Sequence, residues 1–178
     1  MKKNIILLLI ICLFCTINLK AQSIRVIKCN TENITSLPQY LFMKSKIDST
    51  NNLKEYYRIE ILDSSDTIQL VNDLLKLEGD TRLLCMPILC NSDVSSSLYM
   101  GKQELSVQVY ALYLIWGLYF DYKATAGWAV LTENGQQETV KGEIVKQAFT
   151  SYKKWFKNNS SDLKKNKPLD YCNVRWLL

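Results

Sequence analysis

The residues with the clearest chemical potential in this chain are four thiols, Cys29, Cys85, Cys90 and Cys172. Cysteines in this number either hold a metal or oxidise to disulfides. A zinc site calls for closely paired Cys-x-x-Cys ligands or histidine partners, and the chain has no histidine and no Cys-x-x-Cys. The same absence argues against dithiol redox catalysis. In an oxidising compartment an even set of cysteines reads as two disulfides. Cys85 and Cys90 stand five positions apart with Pro87 between them, while Cys29 and Cys172 lie near the two ends of the folded part. The favoured pairing is therefore Cys85–Cys90, closing a small loop, and Cys29–Cys172, tying the termini; the other connectivities stay open. The longer loop would restrain the unfolded chain by roughly 4–5 kcal/mol in the chain-entropy view.

Other chemistry is thinly supplied. Without histidine there is no Ser-His-Asp triad, no Cys-His pair and no imidazole metal ligand. Two carboxylates alone can hydrolyse a glycosidic bond, and Glu104, Asp121, Glu133, Glu138 and Glu143 are available, but their spacing singles out no pair. Ser151 is followed by Lys153 and Lys154, a Ser-Lys arrangement expected on an exposed helix face. The six glycines are isolated, with no phosphate loop or nucleotide fingerprint. No catalytic, cofactor-binding or metal residue is assigned and no cofactor is implied, so the chain leans away from being an enzyme.

The segment that sets the redox context is the N-terminus. Lys2 and Lys3 precede an uncharged apolar run from Ile5 to Phe14, and Lys20-Ala21-Gln22 follows. A basic start, a short apolar stretch and a small residue at the cut match a cleavable export signal. The expected cut falls after Ala21, although Leu19 is larger than the residue usual three positions before the break. The interruption at Asn18 and Lys20 comes too early for a membrane span of about 20 residues. Cys12 and Cys15 lack the Leu-small-Gly/Ala context of a lipid-modified cysteine and leave with residues 1–21. The expected product is a single exported globular domain, residues 22–178, in the periplasm or outside the cell. Its charge is then +2 rather than the +5 of the whole chain.

The elements that would position these groups read as mainly helical. Ser36 to Met43 suits a short helix capped by Ser36. Tyr56 to Leu62 alternates as a short strand would, though a helical turn fits nearly as well. Asp63-Ser64-Ser65-Asp66 offers caps for a helix with Ile68, Val71, Leu74, Leu75 and Leu77 on its apolar stripe and Gly79 at its stop. Asp80 to Gly101 is a long connection, uncommon without a staple or a task. Glu104 to Tyr122 reads as a buried core helix, because the twelve uncharged residues Val109–Phe120 span about 18 Å of helix against the ~30 Å of a bilayer. Trp128 to Leu131 suggests a strand before the Asn134-Gly135 turn, with Gln136 to Val140 either closing a hairpin or opening the last helix. That helix, Glu138 to Lys157, places Ile144, Val145, Ala148, Phe149, Tyr152, Trp155 and Phe156 at three-and-four spacing. Asn158 to Ser161 breaks it, and the final Trp176-Leu177-Leu178 should pack on the core. The expected fold is a small helical bundle-like domain of three to five helices with at most a short strand or hairpin, stapled by disulfides.

Tyr152 to Leu178 carries seven Lys and Arg against Asp162 and Asp170, a patch able to meet an acidic partner or a headgroup surface. No nucleic-acid module accompanies it, and export argues against that ligand. Ten Tyr and four Trp favour recognition surfaces. These features suggest a non-catalytic exported module that recognises a protein partner, for example a periplasmic inhibitor or an immunity-type protein. Two alternatives are an envelope-associated accessory protein acting through the basic C-terminal region at a membrane surface, and a carboxylate-dependent hydrolase. The oligomeric state has no signature in the sequence.

Overall fold

The computed structural model describes residues 22–30, 55–85, 105–120, 131–133 and 142–176. Within them the mainly helical expectation is corrected: three helices share the fold with five strands in two sheets, a mixed α/β architecture. Strand β1 (Ile24–Lys28) pairs antiparallel with β2 (Tyr56–Ile61), from Ile24↔Ile61 to Lys28↔Tyr57. Strand β3 (Leu83–Leu84) lies parallel to the other side of β2, and its far side bridges Ser106. The second sheet joins β4 (Leu131–Glu133) to the chain's last strand, β5 (Val174–Trp176).

Helix α1 (Thr67–Leu75) begins where the cap residues predict. The Asp66 carboxylate accepts the Gln69 N–H at 2.9 Å, and Gly79 takes the left-handed φ of +86° that lets the chain turn away. Its stripe is rotated from the expected one: Leu70 is buried, whereas Ile68 is 38% exposed. Helix α2 (Val107–Tyr119) is the central helix, with Leu112 and Ile115 fully buried. Helix α3 (Gly142–Asn159) buries Ile144, Ala148, Phe149, Tyr152 and Trp155 on one side, as the periodicity predicts. The three helices pack on one another; β1 meets α1, β2 meets α2, and the second sheet lies against α3. Burying a side chain such as Leu112 or Phe149 contributes about 1.5–3 kcal/mol each, which is why the helices hold their faces inward.

The disulfide pairing is also corrected. Cys29 is bonded to Cys85, with Cα atoms 6.4 Å apart, and Cys172 is a free, half-buried thiol. Strand β2 explains this choice, since the Cys29 and Cys85 backbone N–H groups donate to the neighbouring carbonyls of Tyr56 and Tyr57 at 2.8 and 2.9 Å. Cys172 lies instead just before β5, in the other sheet, with its thiol against the Leu169 carbonyl. Cys90, the Ser36–Met43 helix and the Gln136–Val140 alternative lie outside the described residues. The strand at Leu131 pairs with β5, Val174–Trp176.

Candidate functional site

Few of the residues weighed for catalysis come together. Glu133 is exposed at the end of β4 and Glu143 is exposed in the first turn of α3, while Glu104, Asp121 and Glu138 lie outside the described residues. Ser151 is not on an exposed face: it is 2% exposed, and its hydroxyl donates to the Pro168 carbonyl at 2.7 Å. Buried in this way, it has no lysine partner within its hydrogen bonds. Among the described residues, no three His, Cys, Asp or Glu side chains converge as a metal site would require.

Two buried polar centres serve the scaffold. Asp73 is 4% exposed; its carboxylate accepts the Ser23 N–H at 2.8 Å, the Gln69 amide at 2.9 Å and the Lys76 ammonium at 2.7 Å. Burial pushes this carboxyl up, but the Lys76 ammonium, the Ser23 N–H and the Gln69 amide outweigh it, so it sits below the ordinary aspartate range. Tyr152 is fully buried, accepts the Trp176 indole N–H at 2.8 Å, and has its phenol pushed well above the usual range by desolvation. Both tie distant segments together rather than facing an opening.

One opening among the described residues lies elsewhere. Thr67 and Val71 of α1, Leu118 and Tyr119 at the end of α2, and Trp155 of α3 surround a cavity of about 350 Å³. Its remaining wall is Leu163 and Lys164, from the segment following α3. That segment had read as a breaker and a tail, yet it is held closely. The Trp155 indole N–H donates to the Asn166 carbonyl at 3.0 Å, and the Asn166 side chain donates to the Asn159 side chain at 3.1 Å. Asn159 in turn bonds back to the Trp155 carbonyl at 2.8 Å, and Ser151 secures Pro168. Asn166 turns the loop with a φ of +83°, a left-handed conformation that asparagine tolerates better than most residues. The signal for this was present but unread: Ser151 and Asn159 are polar residues on the apolar stripe of α3, where a buried side chain must find a partner.

One charged side chain, Lys164, is among the residues lining the cavity. Lys164 caps α2 by donating to the carbonyls of Leu118 and Tyr119, and its ammonium stands 5.8 Å from the Tyr119 ring centroid. A cation at a helix C-terminus meets the negative end of the macrodipole. The acids of the loop face the backbone: Asp162 accepts the Lys164 N–H and Asp170 accepts the Lys167 N–H. Lys153 pairs with Glu78, and Lys154 lies over Tyr171. Lys157, Lys165 and Lys167 form no ion pair among the described residues and are exposed. No known protein family matches the chain, and neither a curated protein nor a solved structure shows significant similarity to it.

Proposed function

We propose that this chain is a non-catalytic exported module that recognises a protein partner, acting in the periplasm or outside the cell. The observation that carries the reading is the cleft between α1, α2 and α3. It is a concave, largely apolar space with one wall formed by a loop held in place by buried side chains. Ligand sites are typically concave, largely apolar and pre-formed, and a loop fixed before binding loses less freedom when a partner arrives. Among the described residues, those lining the cleft include no paired carboxylates and no activated nucleophile, which favours binding over turnover.

The export reading rests on the charge and hydropathy pattern of residues 1–21. Ser23 is already buried and bonded to Asp73, and β1 starts one residue later, immediately after the expected cut at Ala21. The Cys29–Cys85 disulfide is compatible with an oxidising compartment. Purification of the exported chain under mild conditions tests the reading. It predicts one stoichiometric protein partner, lost when Leu163→Glu places a charge in the cleft wall. Salt-sensitive sedimentation with membranes and no protein partner would instead favour the accessory role at an envelope surface.

A further inference from the structure

We infer that the exported chain closes its new N-terminus into a lactam, with Gln22 as the modified residue; this rests on the export reading above and its cut after Ala21. That cut frees an α-amine on a residue whose own side chain ends in a primary amide. The amine then attacks the Gln22 side-chain carbonyl carbon. A C–N bond forms and closes a pyrrolidone ring, and the bond from that carbon to Nε2 breaks. The departing nitrogen takes a hydrogen from the amine and leaves as ammonia. No oxidant, reductant or second substrate enters.

The fold leaves Gln22 free for this step and fixes the chain directly after it. Gln22 is exposed, and among the described residues its side chain takes part in no hydrogen bond or ion pair. Ser23, the next residue, is 3% exposed and held through both of its backbone groups. Its N–H donates to the Asp73 carboxylate at 2.8 Å, and its carbonyl accepts the Leu62 and Asp63 N–H groups at 2.8 and 3.3 Å. Ring closure turns only bonds within Gln22, so each of those contacts survives it. Termini move freely unless tied down, and here the tie begins one residue after the expected end.

The ring also changes the charge beside Asp73. Covalent geometry holds the Gln22 nitrogen about 3–4 Å from the Ser23 nitrogen, and so within roughly 7 Å of the Asp73 carboxylate. An α-ammonium there would be a second cation beside a carboxylate already paired with Lys76 at 2.7 Å. The lactam is neutral and leaves the Lys76 pair and the Ser23 bond as they stand.

Mass spectrometry of the N-terminal peptide, taken from the full exported chain extracted cold and digested at once, reads the ring directly. The expected peptide begins at residue 22, is one ammonia lighter than its glutamine form, and carries that difference on residue 22. An aminopeptidase that trims unblocked chains gives an independent readout. It should leave the folded wild-type chain intact and remove residue 22 from folded Gln22→Ala, an exchange at an exposed position, stopping at buried Ser23. A fresh peptide that begins at Gln22 with a free amine overturns the inference and leaves the export reading standing. A ring that appears only on storage does the same, as does loss of residue 22 from the wild type. A chain that begins at a residue other than Gln22, with the signal removed, rejects the site and keeps export. Retention of residues 1–21 overturns both together.

Discussion

Asp73 shows how much one residue can organise. Its carboxylate joins α1 to the residue before β1, and replacing it with alanine leaves the buried Ser23 N–H without an acceptor. Such a loss costs about 1–3 kcal/mol, so Asp73→Ala should lower the urea midpoint of unfolding correspondingly. The pH dependence has a definite sign. A carboxyl held below its ordinary range in the folded chain stabilises above the unfolded value, and that contribution is lost as pH falls through the folded one. Wild type and Asp73→Ala should therefore differ most near neutrality and converge in acid below the ordinary aspartate range. A constant gap in midpoint across that acid window would refute the assignment. The role of Asp73 was hidden in the sequence because nothing in a lone aspartate at a helix position announces a partner fifty residues away.

At the scale of elements, the legible parts were those whose signal is local. The Asp66 cap, the Gly79 stop and the stripe from Ile144 to Trp155 are written in consecutive residues, and both helices form there, with the α1 stripe rotated and Ser151 turned inward. The strands are short, and their partners are distant: Ile24 meets Ile61, Tyr56 meets Leu83, and Glu133 meets Val174. Two- and three-residue strands such as β3, β4 and β5 are too brief for an alternating pattern to register. The misassigned disulfide follows from the same cause, because Cys29 and Cys85 become neighbours only once β2 lies between their strands. Peptide mapping without reduction should recover Cys29 linked to Cys85, and a Cys29–Cys172 link would contradict the sheet. Closing a loop of this length restrains the unfolded chain by about 4 kcal/mol, so reduction should lower stability by a comparable amount. The loop after α3 gives a further expectation. Trp155→Phe removes the donor to the Asn166 carbonyl and should speed amide exchange in Leu163–Lys167 while leaving exchange in α2 unchanged. Equal acceleration across α2 would mean that the loop is not separately held.

For the whole molecule, the proposed export signal and the cleft are written at different ranges in the sequence. The signal is a contiguous pattern of charge and hydropathy, whereas the cleft assembles residues from α1, α2, α3 and a loop, which no window of sequence brings together. The basic C-terminal region was legible as composition, but the place of Lys164 in the wall of an apolar space was not. Intact mass of the exported product should correspond to a chain starting at Gln22, and retention of residues 1–21 would remove the compartment on which the functional reading depends. The central claim, that the cleft is a protein-recognition surface, is tested most directly by photocrosslinking in cells. A benzophenone side chain replacing Leu163 should give one discrete protein adduct, and the same group replacing exposed Glu143, in the first turn of α3, should not. Adducts only to lipid, no adduct at position 163, or the same adduct from both positions would contradict it.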